Sequence, residues 1–174
     1  MLMSMLDAGG IPPLTDNLRA TDDDNPRGYY EFEPVKKLRD GDYSWLPDAQ
    51  GKSVKVISAL LAYLPPSHTF QVLFVQRAIS EILVSQRKML INRGEDPNKV
   101  SDEVMAQYFE KHLAQVTAWL EEQKNISTLH VDYNQILKDP APNAQRINVF
   151  LGGDLKVEAM IAVIDPVLYR QRAR

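Results

Sequence analysis

The chain contains no cysteine, which excludes a disulfide framework and any thiolate nucleophile or thiolate metal site. Its three histidines, His68, His112 and His130, have no partners at metal-ligand spacing. Glycine is sparse as well, 8 in 174 residues, and no glycine-rich phosphate loop occurs. The adjacent pairs Gly9–Gly10 and Gly152–Gly153 follow apolar helical runs and read as helix stops. Neither sign of charge dominates: 20 basic and 23 acidic residues leave a net charge of −3. A general nucleic-acid binder needs a basic footprint, so that class is excluded, whereas a small nucleotide needs only a local positive pocket. No apolar run approaches the roughly 20 residues of a membrane span. The amino terminus lacks a basic start, and Asp7 interrupts its short apolar run, so it does not read as a secretory signal. Together these absences point to a cytoplasmic protein that works without membrane, nucleic acid or metal.

What is present is an ordinary globular balance, 44% hydrophobic and 25% charged, in a length that fits a single domain over residues 1–174. Residues 1–8 read as a short helix whose Met1, Leu2, Met5 and Leu6 pack on a sheet. Residues 11–28, rich in Pro, Asp and Asn, read as a loop. Its cluster Asp22, Asp23 and Asp24 is a solvated acidic turn, because Pro26 and Arg27 stand where a calcium loop needs a ligand and a glycine. Pro34 opens a helix that Gly41 ends. Val54 to about Leu60 reads as a strand. Ser101, with two acids behind it, starts a helix that runs to about Lys124. Its Met105, Tyr108, Phe109, His112, Leu113, Val116 and Leu120 form one broad apolar face. Thr128 to Tyr133 alternates as a strand does. Two short helices follow, near 141–151 and 154–164, with Asp154 capping the second. The tail from Asp165 carries Arg170, Arg172 and Arg174. Strands separated by helices imply βαβ units and an α/β fold with a mostly parallel sheet.

The most informative stretch is Phe70 to Ser85. Gln71 to Val75 is an apolar run of strand length, and Ala78 to about Arg93 carries Ile79, Ile82, Leu83, Gln86 and Leu90 at helical spacing. Arg77 therefore sits at the carboxyl end of a strand, where open α/β sheets bind ligands. Ser85 lies about two turns into the following helix. A guanidinium and a hydroxyl so placed can share one phosphate through charge-assisted hydrogen bonds. The same spacing also suits an arginine that caps the sheet edge and a serine packed against a neighbour.

A strand, an arginine and a serine eight residues on resemble the 3′-phosphate-binding motif of sulfotransferases. These enzymes use the nucleotide sulfuryl donor PAPS (3′-phosphoadenosine 5′-phosphosulfate). The segment Asn25 to Glu33, with Gly28, Tyr29 and Tyr30 within it, resembles the acceptor side of bacterial members. Leu129 to Pro140, then Ile147 to Gly152, resembles the family's carboxyl-terminal strand and helix. The resemblance runs from Met1 almost to Arg174. It implies a three-layer, P-loop-like α/β domain that transfers a sulfuryl group from PAPS to a small-molecule hydroxyl or amine. It also implies that Arg77 and Ser85 hold the 3′-phosphate, with Arg170 of the basic tail assisting.

For the base that takes the acceptor's proton, the family offers two solutions. The histidine of its cytosolic eukaryotic branch has no counterpart here, since the comparable stretch is Lys55 to Ser58. Bacterial and Golgi-type members use a glutamate of the acceptor segment, which makes Glu31 the first candidate and Glu33 the second. Both also read as surface acids beside two tyrosines. Arg27 faces a phosphate, an acidic acceptor or solvent, and Trp45 and Trp119 read as packing residues. The family's first strand and its Pro-x-Ser-Gly-Thr loop have no counterpart, because Met1 to Gly10 resembles the helix that follows them. The implied fold is thus N-terminally truncated. It is expected to need a complementing N-terminal segment or to form a homodimer, and to transfer poorly alone. The alternative is a non-catalytic relative that keeps the scaffold for binding or dimerisation.

Overall fold

The structure is a computed structural model and describes residues 1–19 and 28–165. The expectations for Asp22 to Asp24, Arg27, Arg170 and the rest of the basic tail lie outside the described residues. The chain divides into two compact units, Met1–Thr69 with Ala144–Ile164, and Phe70–Asn143 with Asp165–Arg174.

In the first unit, helix α1 (Leu2–Gly9) ends as expected, with Gly10 in the left-handed region at φ 111°. Met5 and Leu6 of α1 are buried, and α1 packs against helix α7 (Val157–Ala162) and not on a sheet. Gly9 makes that approach possible: a Cβ there would meet Met160 Cγ at 2.9 Å. Glu33–Asp40 is helical with Pro34 in its first turn and left-handed Gly41 at its end, but it is wound as a 3-10 helix. Helix α2 (Leu46–Ala49) is a single turn. The strand expected over 54–60 is absent. Ser53 makes an isolated parallel bridge to Pro13, and Ser58–Tyr63 winds into a second 3-10 helix. The alternation at 54–57 is real, but an extended segment becomes a strand only when another strand pairs with it. The Ala-Leu-Leu-Ala run that follows suits a helix better. Met5, Leu38, Ile147 and Met160 are fully buried, and Trp45 packs edge-on against Phe32 with centroids 5.7 Å apart. The expected packing role of Trp45 agrees with that contact.

The second unit is mixed α/β. Strands β1 (Phe70–Gln76) and β2 (Ile126–Asp132) pair in parallel, in register from Phe70 with Ile126 to Gln76 with Asp132. A parallel pair needs a long crossover, and helices α3 (Ile79–Asn92) and α4 (Asp102–Glu122) supply it. Ser101 caps α4, its hydroxyl accepting from the Val104 amide at 3.4 Å. The broad apolar face expected on α4 is mostly not buried: only Leu120 is fully enclosed, and Tyr108 is 63% exposed.

Helix α5 (Tyr133–Lys138) follows β2 directly, with the Asp132 carboxylate accepting from the Gln135 amide. Asn143 then holds the turn into helix α6 (Pro140–Phe150), donating to the carbonyls of Gln135 and Asp139 at 3.2 and 2.7 Å. The division between the two units falls within α6. In the first unit, Asn148 accepts from the Leu155 amide at 2.8 Å after the left-handed Gly152 and Gly153. Helix α7 begins after Lys156 without a side-chain cap, so Asp154 does not cap it.

Candidate functional site

The parallel register decides what meets at the strand exits. Gln76 stands opposite Asp132, so the next residues along, Arg77 and Tyr133, are neighbours too. The Arg77 guanidinium lies over the Tyr133 ring, 4.9 Å from its centroid. One residue further, the Ala78 amide reaches Asn134 Oδ1 at 3.5 Å. Under this junction sits Glu81, on the first turn of α3 and only 2% exposed. Its Oε2 accepts from Arg77 Nε at 2.7 Å, and its Oε1 accepts from Asn134 Nδ2 at 2.9 Å. A buried carboxylate requires such partners, because an unpaired one is expelled by its desolvation cost. Burial pushes the Tyr133 hydroxyl above its ordinary pKa, with Arg77 opposing the rise and Glu81 adding to it.

Arg77 and Ser85 line one open cleft of about 360 Å³, together with Ile82, Gln86, Met89 and Phe109. Ile82, Ser85, Gln86 and Met89 form one stripe of α3, where polar and apolar side chains alternate, and Phe109 comes from α4. Gln86 Oε1 is buried there without a hydrogen-bond partner among the described residues. The volume falls at the lower end of small-molecule sites.

Sequence reading assigned Phe109 to a packed face, and the cleft accounts for its half-exposed state. It also missed Glu81, although the i, i+4 interval from Arg77 to Glu81 was available as a signal. Asn134 and Tyr133 carried no local signal, because only the register of the two strands brings them to Arg77.

The acceptor-side candidates belong to the first unit. Glu31 accepts from Arg19 Nη1 at 3.1 Å and has Lys55 Nζ 3.6 Å away. Arg19 stacks on Tyr29, its guanidinium carbon 3.3 Å from the ring centroid, and Lys55 donates to the Tyr29 carbonyl at 3.0 Å. Tyr30 sits at φ 51°, a costly conformation for a bulky residue, and its hydroxyl accepts from Ser4 at 3.3 Å. Glu33 is tied differently. Its carboxylate accepts from Lys36 Nζ at 2.6 and 2.8 Å, and its amide donates to Asp16 Oδ2 at 2.6 Å. Each glutamate thus has a cationic partner, which for Glu31 lies on Oε1.

His68 bonds Ser67 in a loop, and His130 packs edge-on against Phe74 with centroids 5.5 Å apart. No metal-holding cluster of His, Asp and Glu occurs among the described residues, and no helix among them is long and apolar enough to cross a membrane. A scan against protein-family models found no match, and neither curated proteins nor solved structures gave one.

Proposed function

We propose that the chain is a sulfotransferase-type domain of three-layer, P-loop-like architecture that binds PAPS and serves sulfuryl transfer to a small-molecule hydroxyl or amine. The observation that carries the reading is the shared cleft. Arg77 at the exit of a parallel strand and Ser85 two turns into the next helix line the same cleft, a guanidinium and a hydroxyl of the kinds that bind phosphate. The residues present fit an adenosine bisphosphate. Phe109, Met89 and Ile82 supply apolar surface for a base. When bound, PAPS supplies the activated sulfuryl group. Arg77 and Ser85 hold the 3′-phosphate, with Arg170 as a further cation, and Glu31, or Glu33 in second place, takes the proton of the acceptor.

A second reading has its own observation. The ion pair between Arg77 and Glu81 is neutral as a unit, and Glu31 is held by Arg19 while Lys55 stands beside it. Both features suit a relative that keeps the scaffold for binding or for a homodimer rather than for catalysis. Calorimetric titration with 3′-phosphoadenosine 5′-phosphate tests the first reading, with binding expected between tens of micromolar and about millimolar. Transfer of label from PAPS to a panel of phenols, alcohols and amines then separates the two. Binding without transfer by the protein under any acceptor favours the second, and absence of binding overturns the first.

A further inference from the structure

Resting on the reading of Arg77 as a phosphate ligand, we infer that Glu81 is the positioning residue that aims the Arg77 guanidinium and so sets preference for a nucleotide bearing a 3′-phosphate.

An arginine side chain has four rotatable bonds, and an unconstrained one at a cleft mouth spreads its fork over many directions. Here Nε is fixed at 2.7 Å on Glu81 Oε2, and the guanidinium carbon lies over the Tyr133 ring, 4.9 Å from its centroid. Glu81 is itself fixed: its other oxygen is held by Asn134 at 2.9 Å, and its side chain is 2% exposed. Asn134 is the second residue of α5, just past β2 and 53 residues along the chain, so one carboxylate ties both strand exits together. The fork is rigid because its anchor is rigid. Arg77 keeps 24% of its side chain exposed and lines the cleft. Pre-orientation lowers the entropy lost on binding, so the gain falls on the group the fork meets and not on the rest of the ligand.

The same ion pair has a competing effect. Glu81 neutralises Arg77, and a competitor for the guanidinium weakens binding of any anion. The two effects have opposite signs in a Glu81→Gln variant, which decides between them. Affinities of the full chain for 3′-phosphoadenosine 5′-phosphate and for adenosine 5′-monophosphate, which lacks the 3′-phosphate, are measured by calorimetry. In the wild type the bisphosphate is expected to bind more tightly. In Glu81→Gln that preference is expected to fall about 10-fold, the scale of one hydrogen bond to a charged group, while the monophosphate affinity stays the same. Glu81→Asp, which keeps the charge, is expected to retain part of the preference.

An equal loss for both nucleotides would mark Glu81 as merely structural and overturn the inference. Tighter bisphosphate binding by Glu81→Gln would overturn it in the other direction, showing a competitor instead of an aimer. Should Glu81→Gln fail to fold, Asn134→Ala leaves the ion pair in place but frees its anchor. A reduced preference in that variant supports the inference, and an unchanged one refutes it. A wild type with no preference between the nucleotides removes the phosphate role of Arg77 itself, which is a failure of the underlying reading and is visible before any variant is made.

Discussion

Arg77 serves two masters, and its substitution reports on both. Beyond lining the cleft, its Nε–H is a partner of a carboxylate that is 2% exposed. Arg77→Ala leaves that charge buried with its cation gone. Breaking a buried pair from one side costs about 3–5 kcal/mol, and the partial exposure of Arg77 places this case at the lower end. We expect Arg77→Ala to lower the unfolding free energy by about 3 kcal/mol in urea titrations. A change below about 0.5 kcal/mol would show that solvent already screens the pair. Loss of nucleotide binding in that variant is therefore ambiguous unless its fold is checked. Arg77→Lys is the cleaner probe, since it keeps a cation near Glu81 but loses the planar fork. Ser85 has no such second duty. It is exposed on α3, and Ser85→Ala is expected to weaken bisphosphate binding by less than Arg77→Lys while leaving the melting temperature unchanged.

At the scale of elements, the contact between α1 and α7 rests on the missing side chain of Gly9. A Cβ at that position would lie 2.9 Å from Met160 Cγ and 3.1 Å from its Sδ, and Met160 is fully buried. Overpacking of this kind costs about 1–3 kcal/mol, against which Ala returns up to about 1 kcal/mol of helix propensity. Gly9→Ala is expected to destabilise by about 1 kcal/mol net, and a stabilised variant would show that Met160 has room to turn. Ser101→Ala removes the cap of α4. Its 3.4 Å hydrogen bond is long, so a loss near 0.5 kcal/mol is expected, the lower end for caps. Both elements were legible from sequence because their signals are local: a glycine after an apolar run, a serine before two acids. The exit of β1 at Arg77 was legible for the same reason. The segment 54–60 was misread because strand formation depends on a distant partner, which the local sequence does not reveal. On α4 helical spacing shows which residues share a side but not how deeply each is covered: of the seven named, six are half-buried or buried. Tyr108, exposed despite its place on that stripe, is the exception.

For the whole molecule, pH is the variable that acts on many sites together. Asp16 accepts from the Glu33 amide at 2.6 Å and the Leu18 amide at 3.1 Å, and these hydrogen bonds, the Glu33 one foremost, hold its carboxyl below the ordinary aspartate pKa. Asp42 is lowered in the same way, first by the Ser44 hydroxyl and then by the Ser44 amide. Glu103 is lowered by its own amide and by the Ser101 hydroxyl at the start of α4. A carboxyl whose pKa is depressed on folding contributes stability that is present above its unfolded value and is lost as pH falls through its folded value. The unfolded values lie near 3.9 for Asp and 4.3 for Glu, so stability should hold down to about pH 4 and then decline. The leading causes are short hydrogen bonds, with Lys36 and Lys37 acting on Asp16 and Asp42 only secondarily. Screening by salt acts on exposed charge pairs and leaves such bonds largely untouched. The acid limb is therefore expected to keep its position between low and high salt in thermal unfolding followed against pH. The combined variant Asp16→Asn, Asp42→Asn and Glu103→Gln should flatten that limb. A steep limb in that variant, or one that moves strongly with salt, would place the acid sensitivity in exposed ion pairs such as Arg87 with Asp102.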